Sequence, residues 1–249
     1  MTNSPSPSFA VVIPAFNEEA GIEACVEAVD AALDALPNRT SLIVVDDGSR
    51  DGTPQLLDGL ASRHRRLAVV THPANRGYGA GLRSGTDEAQ RRELEYVLFM
   101  DSDLTNDPSY LPAFAARMAD GADVIKASRY DAGGGTRGVP RWRSALSRLG
   151  NLTARLLFGL PVRDCTNGFR AVRTDLLSSI DLRENGFAVI MEELYRLRPL
   201  ARTYAAVPIV LTARGPGQRR SSFSFGPRAM AKYLEYPVRA AFERARSRR

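Results

Sequence analysis

Asp101 and Asp103 stand two residues apart where the apolar run Tyr96 to Met100 ends, and they are the strongest chemical signal in the chain. On an extended backbone, side chains at i and i+2 share one side. Carboxylates held that close repel unless a cation lies between them, and hard divalent ions take carboxylate oxygens together with the phosphate oxygens of a ligand. The pair points to a metal-diphosphate site. The plainer reading is a strand that stops in a solvated acidic turn.

The elements that must position this pair follow from hydrophobic patterning. Phe9 to Ile13 reads as a first strand ended by Pro14, and Leu42 to Val45 as a second. Leu67 to Val70 gives a third, Tyr96 to Met100 a fourth and Asp123 to Ala127 a fifth. Ile22, Val26, Val29, Leu33 and Leu36 recur at helical spacing between the first two. A second helix is predicted near Thr53-Pro54, with Thr53 as N-cap and Pro54 in the first turn. Strands alternating with helices define an α/β chain with a mostly parallel sheet, and such sheets bind ligands beyond the carboxyl ends of their strands. The loops Pro14 to Glu19, Asp46 to Thr53, Asn75 to Gly81 and Asp101 to Asp103 should therefore meet on one rim. The glycine segment 77–81 is neither a dinucleotide fingerprint nor a Walker loop. It can open a helix onto a ligand or simply permit close packing.

Composition narrows the classes. The chain has 249 residues, 44% of them hydrophobic, enough for one large domain. No apolar stretch reaches the ~18 residues of a membrane span, and the polar, proline-rich start lacks an export signal, so a cytoplasmic protein is expected. Cys25 and Cys165 read as reduced thiols, and two histidines argue against a histidine-rich metal centre. From Arg214 to Arg249 there are ten basic and two acidic residues, leaving residues 1–213 at net −2 of an overall +6. The positive charge is a tail property, and a near-neutral body argues against a broad nucleic-acid face.

The four loop motifs, Val-Ile-Pro-Ala-Phe-Asn-Glu-Glu, Val-Val-Asp-Asp-Gly-Ser-Arg-Asp-Gly-Thr, Asn-Arg-Gly-Tyr-Gly-Ala-Gly and Met-Asp-Ser-Asp, resemble in order and spacing the family 2 inverting glycosyltransferases of GT-A fold. Further segments, Ala-Ser-Arg-Tyr at 127–130, Pro-Arg-Trp-Arg at 140–143, Asn-Gly-Phe-Arg at 167–170 and the stretch from Val207-Pro208 to Arg214, resemble polyprenyl-phosphate sugar transferases of the dolichol-phosphate mannose synthase type. The resemblance implies a GT-A catalytic domain over 9–222, after a disordered 1–8 and before a basic amphipathic tail at 223–249. It implies a nucleotide-sugar donor contacted by Pro14, Ala15, Phe16, Glu18, Asp46, Asp47, Asn75, Gly79 and Ser102. Asp101 and Asp103 would hold Mg2+ or Mn2+. Arg129, Arg143, Ser147 and Arg214 would handle an acceptor phosphate, with Arg129 and Arg214 joining the two aspartates in catalysis. GDP-mannose is favoured as donor over UDP-glucose. Two departures stand out: Thr105 occupies the place of a glutamine that reaches the metal region in those synthases, and Gln218 to Ser222 matches their Gly-x-Ser-Lys segment only loosely.

A lipid phosphate acceptor is already ionised at neutral pH and needs no general base, whereas a hydroxyl acceptor needs a carboxylate such as Glu192 or Glu193. The rivals are thus a family 2 transferase acting on a sugar or metabolite hydroxyl, and a non-catalytic nucleotide- or nucleic-acid-binding module. A polyprenyl acceptor also requires contact with a membrane surface at its cytoplasmic face, either directly or through a small membrane-embedded partner. Two segments have the composition for direct contact: Trp142, Leu146, Leu149, Leu152, Leu156 and Phe158 among arginines, and a tail with Tyr233, Tyr236, Val238 and Phe242 among basic residues. For the first, packing against the catalytic domain is the stronger expectation; for the tail, docking and plain solvation stand level.

Overall fold

The computed structural model describes residues 6–212 and 227–247. Strands β1 (Phe9–Ala15), β2 (Thr40–Asp46), β4 (Tyr96–Phe99) and β5 (Val124–Ser128) are near-continuous runs of buried residues, as expected where helices cover both faces of a sheet, and the edge strand β3 (Leu67–Thr71) is buried only at its start. Beyond them come a short β6 (Gly135–Arg137), then β7 (Arg170–Arg173), β8 (Tyr204–Pro208) and β9 (Val210–Thr212). Seven strands form one sheet in the order β3-β2-β1-β4-β7-β5-β8, parallel except for β7, and β6 pairs with β9.

Helices α1 (Ile22–Asp34), α2 (Thr53–Arg63) and α4 (Leu111–Ala119) pack on one face, where Val11, Ile13, Val44 and Leu98 point. Helix α3 (Tyr78–Arg91), the short α6 (Thr174–Ser178) and α7 (Val189–Leu197) cover the other, over Ala10, Val12, Ile43 and Phe99. Helices α5 (Arg141–Phe158) and α8 (Pro227–Arg246) join α7 around a third cluster containing Phe158, Leu194, Tyr233 and Tyr236.

Sheet order reverses between β1 and β4, and Pro14 opens the crevice there. It does not end β1, which continues to Ala15 in register with Asp46. The Met100 amide donates to Val12 O and the Asp47 amide to Ala15 O, so the alternation of the ladder turns Pro14 toward the β4 side. A residue without an N–H cannot extend that pairing, and β1 and β4 diverge just beyond it. Two other local expectations are corrected. Gly52, not Thr53, is the α2 N-cap, and the Thr53 hydroxyl accepts from the Glu18 amide at 2.8 Å instead. Ser8, assigned by sequence to a disordered start, is buried and tied to Glu95 through its amide and hydroxyl at 3.0 and 3.1 Å.

Burial of titratable groups in the core couples stability to pH. Lys126 on β5 is buried, its ammonium donating to Asn167 O at 2.6 Å, and burial together with the nearby Arg170 charge pushes its pKa down to about 7. Burial likewise pushes the thiols Cys25 and Cys165 from 9.0 up to about 12. Between pH 7 and 9 the unfolded chain holds the lysine proton that the folded chain has lost, so stability rises with pH by about 1.4 kcal/mol per unit at most. Above pH 9 the two thiols ionise only in the unfolded chain and outweigh the lysine, so stability falls. Urea unfolding across pH 6 to 11 should therefore peak near pH 9, and Lys126→Met should abolish the rising limb. A flat profile from 7 to 9 would contradict this account.

Candidate active site

The loops after β1, β2 and β3 are stitched together by side-chain hydrogen bonds. Asn17, in the left-handed region at φ 54°, donates its amide to Ser49 Oγ at 2.9 Å and accepts from the Arg50 amide at 2.8 Å. Glu19 accepts from the Gly52 amide at 2.7 Å. These bonds hold Phe16 and Glu18 beside the β2 loop. Asp46 and Asp47 are both buried, and each organises backbone. Asp46 accepts from the Ser49 amide at 3.0 Å. Asp47 accepts from the Arg76 and Gly77 amides at 2.9 and 2.7 Å and pairs with His72 Nδ1 at 2.6 Å, while His72 Nε2 meets Ser84 Oγ at 2.8 Å. With both its oxygens engaged, Asp47, expected at the donor, builds the loop that leads into α3.

The glycine segment serves packing. The Gly79 amide, expected at the donor, donates to Asn185 O at 2.8 Å, and a side chain there would collide with the Glu184 carbonyl. Gly85 likewise lets α3 lie directly on Val12 of β1. Asn75 is exposed at the head of the same loop.

The aspartate pair sits where β4 leaves the sheet. The strand stops at Phe99, and the chain turns at Ser102-Asp103, so the pair is presented by a turn and not along an extended strand. Each carboxylate is half-buried and held by a hydroxyl donor. Tyr78 Oη donates to Asp101 at 3.2 Å, and Thr105 donates to Asp103 through both its amide (3.0 Å) and its hydroxyl (2.7 Å). Thr105, which replaces the expected glutamine, thus braces its neighbour. Asp103, Glu18 and Asp101 all bear electrostatically on the buried Cys25 thiol, which brings the first and fourth loops to one place.

Two hard carboxylates at an open rim suit Mg2+ or Mn2+, which take oxygen donors and leave positions for phosphate oxygens. Among the described residues no group of three or more His, Cys, Asp or Glu forms a closed metal cage. That combination fits a site completed by its ligand.

The expected acceptor residues separate. Arg129, after β5, is held bidentately by the buried Asp164 at 2.7 and 2.8 Å and also reaches Thr166 at 3.0 Å. Burial alone would lower its pKa, and the Asp164 bonds more than reverse that. Asn151 then bonds Thr166 and the Ser147 carbonyl. Arg129 is therefore a brace between the strand end and α5. Ser147 accepts from Tyr130 Oη at 2.8 Å, and Arg143 is exposed above the Trp142 ring. Arg214 lies outside the described residues. Glu192 and Glu193, the candidate bases, are both buried and spent: Glu192 on Arg196 and the Arg183 and Glu184 amides, Glu193 on Arg170 at 2.6 Å through both oxygens.

Beside this rim α5 turns Trp142, Leu146, Leu149, Leu152 and Leu156 outward, each 49 to 67% exposed, and α8 adds Phe242 at 69%. The expectation that these α5 residues pack on the catalytic domain is corrected. Its core contacts are Asn151, Ala154 and Phe158. In α8, by contrast, Tyr233 and Tyr236 are buried, so only some of the tail's apolar set faces outward. Among the described residues no helix is long and apolar enough to cross a membrane.

Comparison with known proteins agrees with this architecture. A family model described as glycosyl transferase family 2 matches residues 10–181. The polyprenol monophosphomannose synthase of Mycolicibacterium smegmatis is 33% identical, over 98% of this chain and 92% of its own length. The undecaprenyl-phosphate mannosyltransferase of Micrococcus luteus is 29% identical, over 95% and 97%. The solved glucosyl-3-phosphoglycerate synthase of Mycobacterium tuberculosis, in complex with Mn2+, UDP and glucosyl-3-phosphoglycerate, shares the fold with TM-score 0.65 at 22% identity, over 95% of this chain and 80% of that one.

Proposed function

Because the chain belongs to glycosyl transferase family 2, we propose that it moves a hexose, mannose before glucose, from a nucleoside-diphosphate sugar to a polyprenyl phosphate at a membrane surface. The observation that carries this reading is Asp101 and Asp103 standing at the β1/β4 crevice while both glutamates suited to activating a hydroxyl are locked in buried bonds. An ionised phosphate acceptor needs no base, so their loss to structure costs the reaction nothing.

In this reading Phe16 and Glu18 border the donor, and Asp101 and Asp103 would hold Mg2+ or Mn2+. When bound, such an ion supplies Lewis-acid stabilisation of the negative charge gathering on the departing diphosphate. An acceptor phosphate oxygen attacks the anomeric carbon from the face opposite the leaving group. The new carbon–oxygen bond forms as the old one breaks, its electron pair leaves with the diphosphate, and configuration inverts. Arg143, exposed at the start of α5, presents a forked, permanently charged donor suited to the acceptor phosphate, with Arg214 as a second. The exposed leucines and Trp142 of α5, interleaved with Arg141, Arg148 and Arg155, support seating on an anionic bilayer from which the lipid acceptor is drawn.

The test offers GDP-mannose or UDP-glucose, with Mn2+ or Mg2+, to the protein together with polyprenyl phosphate in phosphatidylglycerol vesicles. A lipid-linked hexose should form only with the divalent ion, and the vesicles should sediment the protein less as salt is raised. Transfer to free sugars or metabolites alone would replace this reading with the hydroxyl-acceptor one, and salt-dependent DNA binding without transfer would replace it with the non-catalytic one.

A further inference from the structure

Tyr78 is placed at the first residue of α3 by the Asp47-held loop, and its ring stacks on Phe187 with centroids 4.6 Å apart. A phenylalanine would fill that space equally well. The hydroxyl is the informative feature, because it donates to the Asp101 carboxylate at 3.2 Å, within the electrostatic reach of Arg170. Arg170 is itself fixed on every side described: both Glu193 oxygens at 2.6 Å, the Gly168 carbonyl at 2.8 Å and the Phe99 ring at 4.5 Å. Gly168 closes the arrangement, since a methyl there would stand 3.1 Å from Tyr78 Oη and 3.5 and 3.6 Å from the two Asp101 oxygens.

We propose that Tyr78 is a positioning residue for metal-diphosphate binding, its hydroxyl fixing the Asp101 carboxylate against a base set by Arg170 and Glu193. The inference rests on the metal-site reading above and deepens it by naming what holds Asp101 in place. A carboxylate at a strand end has a free torsion. Fixing that torsion before the ion arrives removes an ordering cost from binding, and losing such a supporting bond typically weakens metal affinity by about tenfold or more.

The experiment titrates Mn2+ into the protein with GDP, and separately with UDP, following free Mn2+ by electron paramagnetic resonance. Tyr78→Phe should bind Mn2+ about tenfold more weakly than wild type in the nucleotide that supports binding, with its thermal midpoint without metal unchanged. Gly168→Ala, whose methyl crowds the Tyr78 hydroxyl at 3.1 Å, should weaken binding in the same direction. Equal Mn2+ affinity in wild type and Tyr78→Phe overturns the inference alone. Absence of Mn2+ binding by wild type with either nucleotide overturns the metal-site reading and takes the inference with it. A Tyr78→Phe midpoint that falls in step with its affinity overturns it in favour of a packing role.

Discussion

Asp101→Asn is expected to lower kcat/KM for sugar transfer by roughly 1,000-fold, about 4 kcal/mol of transition-state stabilisation, while leaving the fold intact. The substitution is nearly isosteric, and its amide oxygen can still accept from Tyr78 Oη, so the geometry at the end of β4 is retained. What disappears is one of two negative charges available to a divalent ion at the rim. Asp103→Asn should cost less, because Thr105 continues to orient its oxygen through two bonds and Asp101 keeps its charge. Steady-state kinetics over a Mn2+ series give the check: the Asp101 variant should need more Mn2+ and remain slow when saturated. Undiminished turnover and unchanged Mn2+ dependence in Asp101→Asn would remove the chemical basis of the proposed site.

The fold was legible where a strand's hydrophobic run is bounded by residues that stop it. All five strands and both helices read from the pattern exist, because Val, Ile and Leu runs flanked by Gly, Asp and Pro leave few alternatives. Among the elements not read is one whose burial is not apolar. Strand β7 is Arg-Ala-Val-Arg, and its first arginine is wholly buried by a partner 23 residues away. No local pattern announces that pairing. Pro14 misled in the opposite direction, since it reads as a terminator and instead lies inside β1 at the one place where the sheet divides.

Site residues divide along a similar line. The positions of Asp101, Asp103, Phe16 and Glu18 follow from the rule that loops beyond parallel strands converge, so sequence order was enough. What each polar side chain does there depends on partners that are distant in sequence. Asp47 and Arg129 carry the residue types expected of ligand contacts, yet Arg76, Gly77 and His72 occupy the first and Asp164 the second. Tyr78, Arg170 and Glu193 lay within or beside quoted motifs, but nothing in the chain signals that Tyr78 and Arg170, 92 residues apart, interact electrostatically. The α5 leucines were expected to pack and misled for a related reason: their spacing fits a helix burying that face as well as one presenting it.

Glu193→Leu should destabilise the protein by about 3 to 5 kcal/mol, because it strands the wholly buried Arg170 guanidinium without its counter-charge. The size of this loss measures the penalty of an unpaired charge and not the net worth of the pair. Arg170→Met with Glu193→Leu removes both charges at similar volume, and urea unfolding should return that double variant to within about 1 kcal/mol of wild type. A double variant as unstable as the single one would contradict the desolvation account. If the pair were only structural, the restored double variant would also regain wild-type Mn2+ affinity with nucleotide. It should not, because the Arg170 charge also acts on the Tyr78 hydroxyl that orients Asp101, and that support is lost with the guanidinium. Stability recovered without metal affinity therefore separates two jobs of one buried pair. Retention of so costly a pair in the core then has a functional cause, since an apolar replacement would serve folding as well.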